Sequence, residues 1–198
     1  MHLPIIDFHI FDTKIVLDSY DLLMFTSKQA VVSIDTINHR WREVPSIAVG
    51  ELTAKEIERL GGSVAYIAQK AYVKTFISEI AKRFKDKKIL YLRPKKVSFD
   101  SKGFLASQDL MLYEEVIYET VCVSYRAEKK PQKNAVIIFT SPSTIECFLK
   151  NFGWEEGYHA VVIGEASKKH LPQYINVSIA DEPSIESCIK KAKSLLQA

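Results

Sequence analysis

Hydroxyl side chains recur at two kinds of strand-to-helix turn in this sequence. Phe25-Thr26-Ser27 closes an apolar run at 21–25, and Phe139-Thr140-Ser141 closes another at 135–139. Gly50-Glu51 ends the run at 46–50, and Gly164-Glu165 ends the run at 159–164. Thr53 and Ser167 each stand three residues beyond the glycine, and both repeated pairs are 114 residues apart. A Ser or Thr where a strand hands over to a helix can act as the N-cap, and Pro142 directly after Ser141 suits the first helical position. The unpaired N–H groups and partial positive charge of such a helix start also attract a carboxylate or phosphate. Capping of its own helix explains any one of Ser27, Thr53, Ser141 or Ser167. Four hydroxyls in repeated positions favour a shared anion-binding cleft.

Charged and phenolic groups stand near the same turns. Lys28 follows Ser27 directly, and Arg93, Lys95 and Lys96 follow an apolar run that ends at Leu92. Either set can pair with ligand carboxylates, or be no more than a solvated strand end. Tyr118 lies in an extended segment, where it can donate a proton or simply pack. Glu51 and Glu165 suit helix N-termini electrostatically, and Lys168, Lys169 and His170 read as surface charges. No Ser-His-Asp or Cys-His spacing is evident, and the absence of a Gly-rich phosphate loop disfavours a nucleotide.

To position these groups the chain must alternate strands and helices. Apolar runs at 21–25, 46–50, 64–68, 88–92, 135–139, 159–164 and 177–180 read as buried strands, each with a helical segment after it. Strands buried on both faces imply parallel sheets covered by helices. Residues 3–11 and 116–125 mix polar with β-branched and aromatic positions, and read as connecting strands outside the sheet cores. Residues 126–134 form a solvated loop. The 114-residue repeat then means two similar α/β lobes, with ligands expected beyond the carboxyl ends of the strands.

Composition sets the outer limits. The chain has 198 residues, 47% hydrophobic and 26% charged, which excludes global disorder. A net charge of +3 is too weak for a general nucleic-acid binder but compatible with a small polyanion. No apolar stretch is long enough to span a membrane, and Asp7 and His9 break the N-terminal run, against a signal peptide. Cys122, Cys147 and Cys188 are odd in number, widely spaced and without a CxxC pair, and the five histidines lack ligand spacing. The expectation is no disulfide framework, no zinc site and a cytoplasmic protein.

The ordered set Phe25-Thr-Ser27, Ala48-Val-Gly50 with Thr53-Ala54, Tyr118-Glu-Thr120, Phe139-Thr-Ser-Pro-Ser143 and Val162-Ile-Gly164 resembles the uroporphyrinogen-III synthase family across nearly the whole chain. The resemblance implies a HemD-like fold: two α/β lobes with parallel sheets and flanking helices, joined by a two-stranded β-connection, with the active site between the lobes. It assigns 12–115 to a continuous lobe, 1–11 and 116–125 to the connecting strands, and 126–198 to the second lobe. It implies closure of hydroxymethylbilane to uroporphyrinogen III with inversion of ring D and release of water, without metal or organic cofactor. Loss of the hydroxyl by general-acid catalysis would give an azafulvene, and attack at the substituted position of ring D a spiro intermediate. The family's cleft tyrosine falls on Tyr118, and its loop hydroxyls on Thr26, Ser27, Ser141, Ser143 and Ser167. Catalysis in the family rests largely on folding the substrate into a closing geometry.

Three departures accompany the resemblance. The connecting strand is expected already at 3–7, without the family's opening strand and helix of the second lobe ahead of it, Gly164-Glu-Ala-Ser167 carries one hydroxyl where the family has two, and Pro94 stands where glycine is usual after Arg93. The resulting expectation is a monomeric, cytoplasmic enzyme of haem biosynthesis acting on a small molecule, with neither nucleic acid nor membrane as partner. Thr26, Ser27, Lys28, Thr53, Arg93, Ser141, Ser143 and Ser167 would bind substrate, and Tyr118 would assist loss of the hydroxyl. The alternative is a two-lobed protein that holds an anionic metabolite without transforming it.

Overall fold

The structure is a computed structural model, and it describes residues 1–68, 79–97 and 110–197. The chain divides into two compact units, one of Met1–Asp7 with Val121–Ala198 and one of Phe8–Thr120. It passes between them within two strands, β1 (Ile6–Ile10) and β6 (Leu112–Cys122).

The Phe8–Thr120 unit is built on β2 (Leu22–Phe25), β3 (Ser46–Val49), β4 (Val64–Ala68), β5 (Ile89–Pro94) and β6. The spatial order of the sheet is β1-β6-β5-β2-β3-β4, and every neighbouring pair from β6 to β4 is parallel. Alternation along the strands divides the core in two. Leu23, Phe25, Ala48, Leu90, Leu92 and Ile117 pack on one face with α1 (Lys28–Ile37), α2 (Glu51–Arg59) and Trp41. Leu22, Met24, Ile47, Ile89 and Tyr91 pack on the other with Ile80, part of a helical stretch at 79–83. The beginning of the helix expected after β4 lies in 69–78, outside the described residues.

Both helices end as their sequences dictate. In α1, Ala30, Val31 and Ile34 form the buried stripe, and Asn38 closes the helix. The Asn38 side chain then accepts from the Arg40 N–H and donates to the Ile15 carbonyl. Beyond α2 the Trp41 ring lies against Gly62, where a Cβ would collide with the ring. The Trp41 indole N–H donates to Asp35 at 2.8 Å.

β1 and β6 run from one unit into the other, and β6 does more than connect. Residues 116–125 read as lying outside the sheet cores, yet β6 begins at Leu112 and pairs with β5 as far as Tyr118. Glu114 and Glu115 obscure the strand in the sequence, because Ile117 and Tyr118 alone of its residues are buried and Glu114 finds Arg93 as a partner. Backbone bonds from Phe11 N–H to the Ile117 carbonyl and from Val123 N–H to the Ile5 carbonyl run β1 antiparallel to β6.

In the other unit β7 (Val136–Phe139), β8 (His159–Val162) and β9 (Val177–Ile179) form a parallel sheet in chain order. One face carries α3 (Pro142–Phe152), whose Ile145, Phe148 and Phe152 pack with Phe139 and Tyr158. The opposite face packs Val161, Ala180, Cys188 and Ala192, the last two from α5 (Ile185–Leu196). The helix between β8 and β9, α4 (Glu165–Lys168), is a single turn.

The cysteine expectation is overturned. Cys122 at the end of β6 and Cys147 in α3 form a disulfide, while Cys188 is free and buried. Spacing along the chain carries no information here. Packing of α3 against the end of β6 brings the two Cα atoms to 5.2 Å, well within bridging range. Asn151 fastens the same contact, accepting from the Tyr125 N–H and donating to the carbonyls of Val123 and Cys147.

Candidate functional site

The turn after β2 gathers the groups with chemical potential. Phe25 is completely buried and anchors the end of the strand, so the backbone leaves the sheet at Thr26-Ser27. Ser27 is the N-cap of α1, its Oγ accepting from the Ala30 N–H at 3.2 Å. The same Oγ lies 2.9 Å from the Tyr118 hydroxyl, which β6 carries in from 91 residues away. One step earlier in the chain, Thr26 Oγ1 lies 2.9 Å from the hydroxyl of Tyr91 on β5. Successive residues of an extended chain point to opposite faces, so the two adjacent hydroxyls are held by phenols from opposite sides of the sheet.

Both phenols keep their protons. Burial pushes Tyr118 above the ordinary value of 10.0, against a smaller opposite pull from the Ser27 bond. Burial raises Tyr91 as well, with the Thr26 bond again opposing it. Tyr118 is 4% exposed, and Phe8 packs its edge against the ring with centroids 5.9 Å apart. A neutral phenol at the carboxyl end of a parallel sheet, beside a capped helix start, can deliver a proton to a bound group.

The remaining residues divide by environment. Lys28 is exposed on the first turn of α1. Its charge adds to the Arg59 hydrogen bond, the larger effect, in holding the Glu56 carboxyl below the usual range. Thr53 and Ser167 are only 5% and 3% exposed, and neither is an N-cap. Those positions belong to Gly50 and Gly164, neither of which has a side chain to cap with. Gly50 has a φ of +83°, where a side chain would be strained. Capping by Thr53 and Ser167 is thus corrected: the glycines make the turns and the hydroxyls are enclosed behind them.

Arg93 is engaged by its own unit. Its Nε donates to Glu114 at 3.0 Å and its Nη1 to the Pro94 carbonyl, so its charge is matched within the unit. Lys95 pairs with Glu119 at 2.8 Å. In the other unit Ser141 caps α3 through a reciprocal box with Thr144, and Pro142 occupies the first turn. Ser143 is half-buried on that turn.

Tyr91 escaped the sequence reading. The available signal was a tyrosine inside an otherwise aliphatic buried strand, since a buried phenol must find a hydrogen-bond partner. Among the described residues no three His, Cys, Asp or Glu side chains are grouped to hold a metal ion, and no helix is long and apolar enough to cross a membrane.

Comparison with known proteins adds to this geometry. The family described as uroporphyrinogen-III synthase HemD matches residues 1–190. The crystal structure of uroporphyrinogen-III synthetase from Helicobacter pylori 26695 superimposes with a TM-score of 0.85 at 28% identity, covering 98% of this chain and 92% of that one. A mutant uroporphyrinogen III synthase from the extremely thermophilic bacterium Thermus thermophilus shares the fold, with a TM-score of 0.58 at 11% identity over 98% of this chain and 88% of that one. Among curated proteins none matches the chain significantly.

Proposed function

We infer residue roles from one premise: the chain belongs to the uroporphyrinogen-III synthase family, and its activity is that family's closure of hydroxymethylbilane to uroporphyrinogen III in tetrapyrrole biosynthesis. In this reading Tyr118 is the general acid. Its phenol gives a proton to the departing hydroxyl, the C–O bond breaks and water leaves. The pyrrole ring supplies the electron pair, and the proton released when the pyrrole attacked in the closing step regains its aromaticity returns to the phenolate. The observation that carries this role is the 2.9 Å bond from Tyr118 to Ser27, which joins two independently expected site residues.

Thr26, Ser27 and Lys28 would receive substrate carboxylates at the start of α1, where hydroxyl, cation and helix terminus act together. Ser141 and Ser143 offer the same chemistry at the start of α3. Thr53, Arg93 and Ser167 would support the turns beside them, since two are enclosed and the third is paired. The protein is taken to act as a monomer in the cytoplasm. Pairing of Cys122 with Cys147 removes the cysteine argument for that location, which is tested by alkylating free thiols at the moment of cell lysis.

Incubation with hydroxymethylbilane, followed by oxidation and separation of the I and III porphyrin isomers, tests the activity. The III isomer is the expected product. Formation of the spontaneous I isomer alone overturns the enzymatic reading and leaves a binding protein.

A further inference from the structure

The structure assigns Tyr91 a part in substrate binding, as a positioning residue that orients the Thr26 hydroxyl toward a ligand carboxylate. The assignment rests on the proposed reading of the β2 turn. Tyr91 is 5% exposed and its hydroxyl is bonded to that of Thr26, which is half-buried and the more open of the two. The 2.9 Å contact between them admits a donor in either direction. An incoming carboxylate accepts but cannot donate, and this selects one direction: the phenol donates to Thr26 Oγ1, and the Thr26 proton is left for the ligand. A hydroxyl that accepts one bond while donating another is polarised into a stronger donor.

The arrangement is specific to this turn. Ser27 Oγ also touches a phenol, but as the cap of α1 it accepts from the Ala30 N–H as well, a second bond that fixes its position without Tyr118. Thr26 has no helix to cap, so its bond to Tyr91 decides where its proton points. Desolvation keeps the Tyr91 phenol protonated, so that it can donate throughout the neutral range. The two tyrosines thereby have separate tasks at one turn, Tyr118 in proton delivery and Tyr91 in orientation.

Steady-state kinetics of Tyr91→Phe, Thr26→Val and Thr26→Ser with hydroxymethylbilane test the assignment. Loss of the bond that orients the Thr26 hydroxyl toward the substrate carboxylate is expected to raise KM about 2- to 10-fold in Tyr91→Phe. The turnover number should stay within about twofold of the parent. Thr26→Val should raise KM at least as much, Thr26→Ser should retain the parental value, and adding Tyr91→Phe to Thr26→Val should raise KM no further. An unchanged KM in folded Tyr91→Phe overturns the assignment, as does additivity of the two substitutions or a fall in turnover alone. Failure of the unsubstituted protein to form the III isomer would instead defeat the functional reading on which the assignment rests.

Discussion

Replacing Tyr118 with phenylalanine removes one oxygen and keeps the ring. The ring sits among Phe25, Ile117 and their neighbours and meets the edge of Phe8, and all of that packing survives. The lost contact is the 2.9 Å bond to Ser27, whose Oγ still accepts from the Ala30 N–H and remains open to water on its partly exposed side. One neutral hydrogen bond contributes about 0.5–1.5 kcal/mol, so the thermal midpoint should fall by only about 2–8 °C. Turnover should respond quite differently. A positioned general acid contributes about 10²- to 10⁴-fold, and the Tyr91 phenol, bonded to Thr26 on the opposite face of the sheet, is not placed to substitute for it. Single-turnover formation of the III isomer should slow at least about 100-fold, with KM nearly unchanged and a growing share of spontaneous I isomer. Turnover within about threefold of the parent, measured on variant protein with an intact thermal transition, would refute the proton-donor role for Tyr118.

Other consequences bear on the scaffold. Gly62→Ala should destabilise the Phe8–Thr120 unit by about 1–3 kcal/mol, because the new methyl group has to displace the Trp41 ring, and urea unfolding measures the change. Asp35→Ala should cost about 1–3 kcal/mol by leaving the buried Trp41 N–H without its acceptor. Burial raises the Asp35 carboxyl, but hydrogen bonds from Trp41 and Arg42 outweigh burial and hold it below its ordinary 3.8. That contribution is present above pH 3.8 and disappears as pH falls through the lowered value, so Asp35→Asn should flatten the acid limb of a stability profile. Tyr118 and Tyr91 act at the opposite extreme: with folded-state pKa values raised above 10.0, their contribution is intact below pH 10 and is lost as pH rises through the raised values. The Tyr91→Phe/Tyr118→Phe double variant should show a shallower alkaline limb in the same profile. Cys122→Ser opens a bridge between residues 25 apart in sequence and should cost about 3 kcal/mol; a thiol reductant should lower the parental midpoint equally and leave the variant unchanged.

The parts of this protein legible in its sequence are those in which neighbours along the chain share one task. An apolar run ending in Phe-Thr-Ser announces a buried strand, a turn and a helix cap, because all three are local. The runs at 21–25, 46–50 and 135–139 accordingly reappear as β2, β3 and β7. Contacts between distant residues are another matter. Cys122 and Cys147 meet only because α3 packs on the end of β6, and Glu114 inside a sheet strand is paired with Arg93 from the strand beside it. The repeat itself misled at Thr53 and Ser167, where equal offsets suggested equal caps while Gly50 and Gly164 form the turns. At Thr26-Ser27 both kinds of information are needed. The turn is local, but what its hydroxyls can do depends on Tyr91 and Tyr118, which arrive 65 and 91 residues later from two other strands. A tyrosine in a buried strand is an incomplete statement in the sequence, since its hydroxyl demands a partner that the strand does not supply. Here the partners are two consecutive hydroxyls, and their consecutiveness directs one phenol to each face of the sheet.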